Sequence, residues 1–395
     1  MIFFFSIPAH GHVNPTLPVV SELVSRGHAV RYYETPEFRE RIEAAGAQFV
    51  DISPYMPPAP GNIDKVAGRD FASLIEMVAD TTIALDESVA ADIAEYQPSV
   101  IVSDSVCFWG KLFAHKHGVP FVCSTTTFAF NQYTAKRMKQ SPLEILRMIA
   151  GMPRIKKAVD RLQAHGYPAN DFISLIQNDS DTDTVVFATR RFQPLSETFG
   201  DRYAFVGPSV QSTYPRLPHD RPQVYISLGT VLNNAPRFYR RCFAALGGLD
   251  LHVTLTVGGK CNIASLGKIP DNFSVFPRVN QLEILASCDV FLTHCGMNSA
   301  SESLLCGTPM VLFPQHSEET AVAGRVRELG AGLPLGRPSV RNIRRAVLAV
   351  LRDPAFRASA QTLSKDFLAS RGAKEAADFI EAKTQTQGGD TTETR

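Results

Sequence analysis

The chain carries almost no net charge. Forty Lys and Arg stand against 39 Asp and Glu, a formal +1, so there is no electrostatic case for a nucleic-acid or anionic-membrane ligand. No CxxC pair occurs among the seven cysteines. An odd, scattered set argues for reduced thiols in a cytoplasmic protein and against a disulfide frame or a zinc ribbon. No apolar run reaches the ~18 residues needed to span a bilayer. The apolar opening MIFFFSIPA lacks a basic n-region and runs into Gly-His-Val-Asn-Pro, so it is expected to be a first strand, not a signal peptide. No GxGxxG follows the first strand of either half, and Gly258-Gly259-Lys260 lacks the spacing of a P-loop.

Hydrophobic residues make up 44% of the chain and charged residues 20%, an ordinary globular composition. At 395 residues the chain is too long for one core, and two domains of about 150–200 residues are expected. Apolar runs of strand length alternate with helical spacing in both halves: residues 2–7, 29–33, 99–103 and 120–123 first, then 224–228, 251–257, 290–293 and 310–313. The proline-rich GPSVQSTYPRLPHDRP separates the halves as a linker. This predicts an α/β protein of two doubly wound domains facing each other across a cleft. The expected division is 1–207, a linker 208–222, 223–370, a helix 371–384, and a disordered polar tail 385–395.

Residues 290–314 read strand, tight polar loop, short helix, turn, strand. In VFLTHCGMNSASESLLCGTPMVLFP, Ser299 is expected as N-cap, and Glu302 three residues on completes a capping box. Unpaired backbone N–H groups and the positive end of the helix dipole meet at the loop, which favours an anion such as a diphosphate. Gly296 lets the backbone approach it and His294 adds a donor. In the first half, His12 follows strand one at the sheet's carboxyl edge, with Asn14 as N-cap and Pro15 opening the helix. An imidazole there can accept a hydroxyl proton. Asp104 closes the strand 99–103, where a carboxylate commonly caps the next turn. Thr230 sits in the loop after strand 224–228.

From Gln281 to Glu319 the chain resembles the nucleotide-sugar signature of family 1 glycosyltransferases, nearest the bacterial macrolide-glycosyltransferase branch. The matching residues are Gln281, Phe291-x-Thr293-His294-Cys295-Gly296, Asn298-Ser299, Glu302, Gly307-x-Pro309, Pro314 and the acidic pair Glu318-Glu319. The N-terminal PxHGHxNP is similar to the family's first motif, whose second histidine corresponds to His12. The resemblance implies a GT-B fold, with the last helix crossing back to the first domain. It implies His12 as the base and Asp104 as the residue that orients it. Thr230, His294, Gly296, Asn298 and Ser299 would cradle diphosphate, Gln281 and Glu302 would hold base or ribose, and Glu318 and Glu319 the sugar. Arg278-Val279-Asn280-Gln281 replaces the family's Trp-x-Pro-Gln; an arginine plane also stacks on a base. The acidic Glu319 replaces a glutamine, which leaves the donor sugar open.

An acceptor pocket is expected in the first domain, against residues 54–69 and 107–152, with Phe108, Trp109, Phe128 and Phe130 either lining it or serving as core. The expected activity is inverting transfer from a UDP-sugar, a co-substrate rather than a cofactor, to a small hydrophobic hydroxylated acceptor such as a macrolide or phenol. No metal is expected, and Asp181-Thr182-Asp183 is read as part of a polar run rather than a metal site. Neither nucleic acid nor a stable membrane contact is expected, and the assembly is expected to be a monomer or homodimer. The rival readings are a GT-B epimerase, a lipid-acceptor transferase, or a non-catalytic nucleotide-sugar sensor.

Overall fold

The computed structural model describes residues 1–57, 71–137, 142–169, 182–210, 214–230 and 233–384. Most of the expected acceptor loop at 54–69, Asp181 and the polar tail lie outside them. The chain divides into two compact units. Met1–Val210 and Arg371–Arg395 form the first, Gln211–Ser370 the second.

The first unit grows from β1 (Ile2–Phe5), four buried apolar residues. Side chains alternate across a strand. Phe3 and Phe5 therefore enter one core with Ile101, Trp109 and Phe113, while Ile2 and Phe4 enter another with Val20, Tyr32 and Val102. A strand covered on both faces needs this unbroken apolar run. With β2 (Val30–Glu34), β3 (Gln48–Asp51), β4 (Val100–Asp104), β5 (Phe121–Thr125), β6 (Asp183–Val186) and β7 (Tyr203–Phe205), it makes a sheet of order β3-β2-β1-β4-β5-β6-β7. Every pair is parallel. The chain moves outward from β1 in one direction, then returns to β4 on the other side, so the loops after β1 and β4 diverge. That divergence is where doubly wound sheets bind ligands. Around the sheet lie α1 (His10–Ser25), α2 (Arg39–Ala44), α3 (Phe71–Tyr96), α4 (Phe108–His117), α5 (Gln132–Arg137) and α6 (Pro142–Ala164).

The second unit repeats the plan. Strands β8 (Gln223–Ser227), β9 (His252–Thr256), β10 (Phe273–Phe276), β11 (Val290–Thr293), β12 (Met310–Leu312) and β13 (Gly332–Pro334) run parallel in the order β10-β9-β8-β11-β12-β13. Here the switch falls between β8 and β11. The helices are α7 (Pro236–Leu246), α8 (Gln281–Ser287), α9 (Met297–Leu305), α10 (Ser317–Glu328), α11 (Val340–Arg352) and α12 (Pro354–Ala369). A last helix, α13 (Ala373–Thr384), belongs to the first unit. It buries Ala376, Ala377 and Ile380 in the core shared with Phe4 and Val20. Arg26 at the end of α1 reaches both Asp378 (2.7 Å) and Glu381 (2.6 Å), and His28 Nε2 lies 2.7 Å from Glu381. Among the described residues no helix is long and apolar enough to cross a membrane.

Two helix starts differ from the sequence expectation. Helix α1 begins at His10 with Ala9 as N-cap, so Asn14 does not cap it and both Pro15 and Pro18 lie inside. The first turn is instead closed by Ala9 O, which accepts from the amides of His12 (2.9 Å) and Val13 (3.0 Å). The buried stripe Val13, Leu17 and Val20 outweighs the two backbone bonds that the prolines cannot make. Helix α9 begins at Met297 with Gly296 as N-cap and no side-chain cap bond. Ser299 is therefore inside the helix, and Ser299 and Glu302 form no capping box; both side chains are engaged by Gln281 instead. The three-residue β13 was not expected either. Its sequence, Gly-Leu-Pro, carries no strand signal of its own.

Candidate active site

The two switch points hold the residues of interest, one group in each unit. In the first unit β4 ends on Asp104, whose side chain is fully buried. One oxygen, Oδ1, accepts from the amide of Val106 at 2.9 Å, and the other, Oδ2, lies 2.8 Å from Nδ1 of His12. The two expected roles of Asp104, turn cap and partner of a histidine, are thus taken by separate oxygens. An ionised carboxylate only accepts, so Nδ1 carries the ring proton and Nε2 presents a lone pair. Thr126, just past β5, adds its hydroxyl at 3.2 Å from Nδ1. Nothing in the sequence pattern marked Thr126. Its position follows from β5 lying beside β4, with Asp104 opposite Ser124 in the register. His12 is in the first turn of α1 rather than in a loop, which fixes the imidazole to a rigid element. His10 points elsewhere, pairing with Glu37 at 3.2 Å and meeting the Phe38 ring edge-on.

In the second unit β11 delivers His294 into a slot between two glycines. A Cβ on Gly229 would stand 2.5 Å from the ring, and one on Gly296 would stand 2.6 Å from Nε2. Gly229 also has φ +74. Both positions therefore exclude any side chain while the imidazole is in place. Burial, and then the neighbouring His316, push the His294 imidazole down to about 4, so it is neutral at pH 7. Nδ1 is buried with no hydrogen-bond partner in the protein. A neutral imidazole carries a single N–H. A bond to the Ser227 backbone opposes the fall in its basicity, and the ring's Nε2 edge stands beside the glycine that caps α9, where the helix amino terminus favours an anion. The turn from β11 to α9 passes through Cys295 at φ 70. A left-handed non-glycine residue costs roughly 1–2 kcal/mol, and the bond from Cys295 N to Thr293 Oγ1 (3.1 Å) helps hold it.

Beside this slot, Gln281 opens α8 and gathers three side chains. Its amide nitrogen reaches Glu302 Oε2 at 2.7 Å and Ser299 Oγ at 3.2 Å, and its oxygen accepts from the Tyr225 hydroxyl at 3.3 Å. Burial raises the Glu302 carboxyl, opposed by the Gln281 bond. Thr230 and Arg278 are exposed, Val279 and Asn298 half-buried. Glu318 is exposed, whereas Glu319 turns back to accept from the amides of Gln315 (2.6 Å) and His316 (3.2 Å). With His316 it forms the capping box of α10, so its carboxylate is committed to the helix end. His316 was missed from sequence, because histidine is not among the usual cap residues.

The aromatic residues expected to line an acceptor pocket separate into two kinds. Phe108 and Trp109 are core: Trp109 is fully buried and packs with Phe5, Leu112 and Phe113. Residues on the inward face of α4 have no surface to offer an acceptor. Phe128 is half-buried against Phe192, 5.2 Å between ring centres, and Phe130 is 48% exposed. Asp183, the described acid of the DTD run, begins β6 and pairs with Lys383 (2.8 Å) and Arg202 (3.3 Å).

Two parallel doubly wound units, one with a carboxylate-bound histidine and one with an anion-ready helix terminus at their respective switch points, define the class: GT-B transferases. Comparison with known proteins gives the family. Residues 240–382 match the family described as erythromycin biosynthesis protein CIII-like, C-terminal domain. The chain is 34% identical over 390 residues to the NDP-glycosyltransferase YjiC of Bacillus subtilis, covering 96% of each. It is 31% identical to the demethyllactenocin mycarosyltransferase of Streptomyces fradiae, covering 96% of this chain and 86% of that one. Among solved structures, the calicheamicin glycosyltransferase CalG4 superposes with a TM-score of 0.79 at 29% identity, over 97% of this chain and 98% of that one. The glycotransferase of kitacinnamycin does so with a TM-score of 0.82 at 27%, over the same shares. The chain belongs to family 1 of the glycosyltransferases, in the macrolide-glycosyltransferase-like branch. It is an enzyme that transfers a sugar from a nucleotide-sugar donor to a small-molecule acceptor.

Proposed function

We propose that the enzyme is an inverting, metal-independent transferase that uses a UDP-sugar and a small hydrophobic acceptor hydroxyl, of the macrolide or phenolic kind. His12 Nε2 takes the proton from the acceptor hydroxyl, and the oxygen attacks C1 of the sugar. The C1–O bond to the diphosphate breaks, and the leaving charge is received by His294 and the amide groups at the start of α9. Gln281, Ser299 and Glu302 hold the nucleoside, and Glu318 faces the sugar. Asp104 keeps Nδ1 protonated and stabilises the imidazolium that forms, which is the logic of the third member of a hydrolase triad.

The observation that carries this reading is the 2.8 Å contact of His12 Nδ1 with Asp104 Oδ2, because it fixes which ring nitrogen is basic. General-base catalysis contributes roughly 10²–10⁴-fold. His12→Ala is expected to lose at least that much transfer, assayed with UDP-sugars against a panel of aglycones, while UDP binding by calorimetry stays at the wild-type value. Wild-type turnover in that variant would refute the assignment.

A further inference from the structure

Glu34 is the last residue of β2. Phe5 pairs with Tyr33 on one side and with Ser103 on the other, so positions 34, 6 and 104 lie level across three strands. Glu34 has the same parity as Tyr32, and Asp104 as Val102, so both carboxyl groups rise on the face that carries α1. Strands spaced ~4.8 Å apart set the two positions about 10 Å from each other. The Glu34 side chain is fully buried. Its Oε1 accepts from the amide and hydroxyl of Thr35 at 2.8 and 3.3 Å. Its Oε2 is buried and has no hydrogen-bond partner. The groups around it are Asp104 of β4, His12 of α1, the Tyr32 hydroxyl of its own strand, the Cys107 thiol after β4, and Asp51 in register on β3. Of these only His12 can become a cation.

We propose that Glu34 is a positioning residue for the transfer reaction, a second buried carboxyl group that sets the charge felt by the His12 imidazole. This rests on His12 being the base. Burial pushes the Glu34 carboxyl up to about 8, against the bonds from Thr35; Asp104 adds to the rise and His12 opposes it. At neutral pH Glu34 therefore keeps its proton, and the negative charge beside His12 is that of Asp104 alone. Above about pH 8 Glu34 releases its proton to solvent, and a second negative charge favours the imidazolium. His12 is held 2.8 Å from Asp104, the residue at that ~10 Å span from Glu34, and a unit charge ~10 Å away at an effective dielectric of about 20 shifts such an equilibrium by roughly tenfold.

The test is a histidine-labelled NMR titration of the full chain from pH 6 to 10, in wild type and E34Q, with the His12 signal assigned by its loss in His12→Ala. In wild type the His12 shift is expected to show a second inflection near pH 8, which E34Q removes. Superimposable curves, or a second inflection that persists in E34Q, would overturn the proposal. Should E34Q fail to fold, wild type alone decides: a single inflection across that range rejects the coupling. The readout needs no turnover, so it fails independently of the His12→Ala transfer assay.

Discussion

Gly296→Ala is the substitution from which the His294 slot can be tested most directly. Gly296 has φ −58 and ψ 142, a conformation open to any residue, so alanine adds no backbone strain. The new methyl would stand 2.6 Å from His294 Nε2 and 3.2 Å from Cε1. An ordinary carbon contact is ~3.5 Å, so the ring must withdraw by about 1 Å. On the other side Gly229 carries no side chain, but its backbone is close enough that a Cβ there would meet Cε1 and Nε2 at 2.5 Å. The ring is expected to shift within the slot or turn out of it, and either movement misplaces Nε2. Overpacking of this kind costs about 1–3 kcal/mol of stability. A lost hydrogen bond to a charged ligand costs about 1.5–3 kcal/mol, or roughly 10- to 100-fold in UDP affinity. Calorimetric titration of UDP into wild type, G296A, H294A and the double variant reads the effect, with thermal midpoints confirming that each is folded. The double variant is expected to bind UDP as H294A does, because the clash has no ring to act on. If G296A weakens binding as much in the H294A background as in wild type, the slot is not what that glycine serves.

Other outcomes follow from the same geometry. Asp104→Asn should place an amide donor against Nδ1, reverse the tautomer of His12 and lower kcat by roughly 10²–10⁴-fold with little change in UDP binding; an unchanged kcat would remove Asp104 from the mechanism. His294 is held near 4, below its ordinary 6.5, so the folded state refuses a proton that the unfolded chain accepts. Stability is full above about pH 6.5 and declines as pH falls toward 4, by up to about 3 kcal/mol, and thermal melts of H294A should lose that part of the acid sensitivity. Glu34 is raised from 4.5 to about 8, so its contribution is full below pH 4.5 and disappears as pH rises to 8. E34Q does not titrate, and its thermal midpoint should gain on wild type between pH 5 and 8; a constant gap would contradict the raised carboxyl. Arg26→Ala should release α13, seen as faster proteolysis after Arg371 at an unchanged melting profile of the second unit.

The strands were legible because burial on both faces leaves a continuous apolar run, as in Ile2–Phe5 and Val290–Thr293. The helix starts at the switch points were not. At His10 and Met297 the first turn uses backbone contacts rather than a side-chain cap, so the Asn14 and Ser299 signals pointed a few residues too late. The candidate residues His12, Asp104 and His294 were visible because each lies at or soon after the carboxyl end of a strand that its apolar run made plain. Thr126 and Glu34 were not, because their nearness to His12 is a property of strand order, which no local pattern carries. Trp109 looked available for a ligand only because a helix's inward face cannot be told from its outward face in so apolar a segment.

The return of α13 to the first unit makes that unit discontinuous along the chain. During synthesis, its sheet emerges from the ribosome with the groove beside Val20 and Phe4 uncovered, and the second unit is translated before the helix that fills it. Closure of the amino-terminal half thus waits on a segment made after the second unit, and a chain stopped between Ser370 and Ala373 would hold both sheets but leave the first one unsealed.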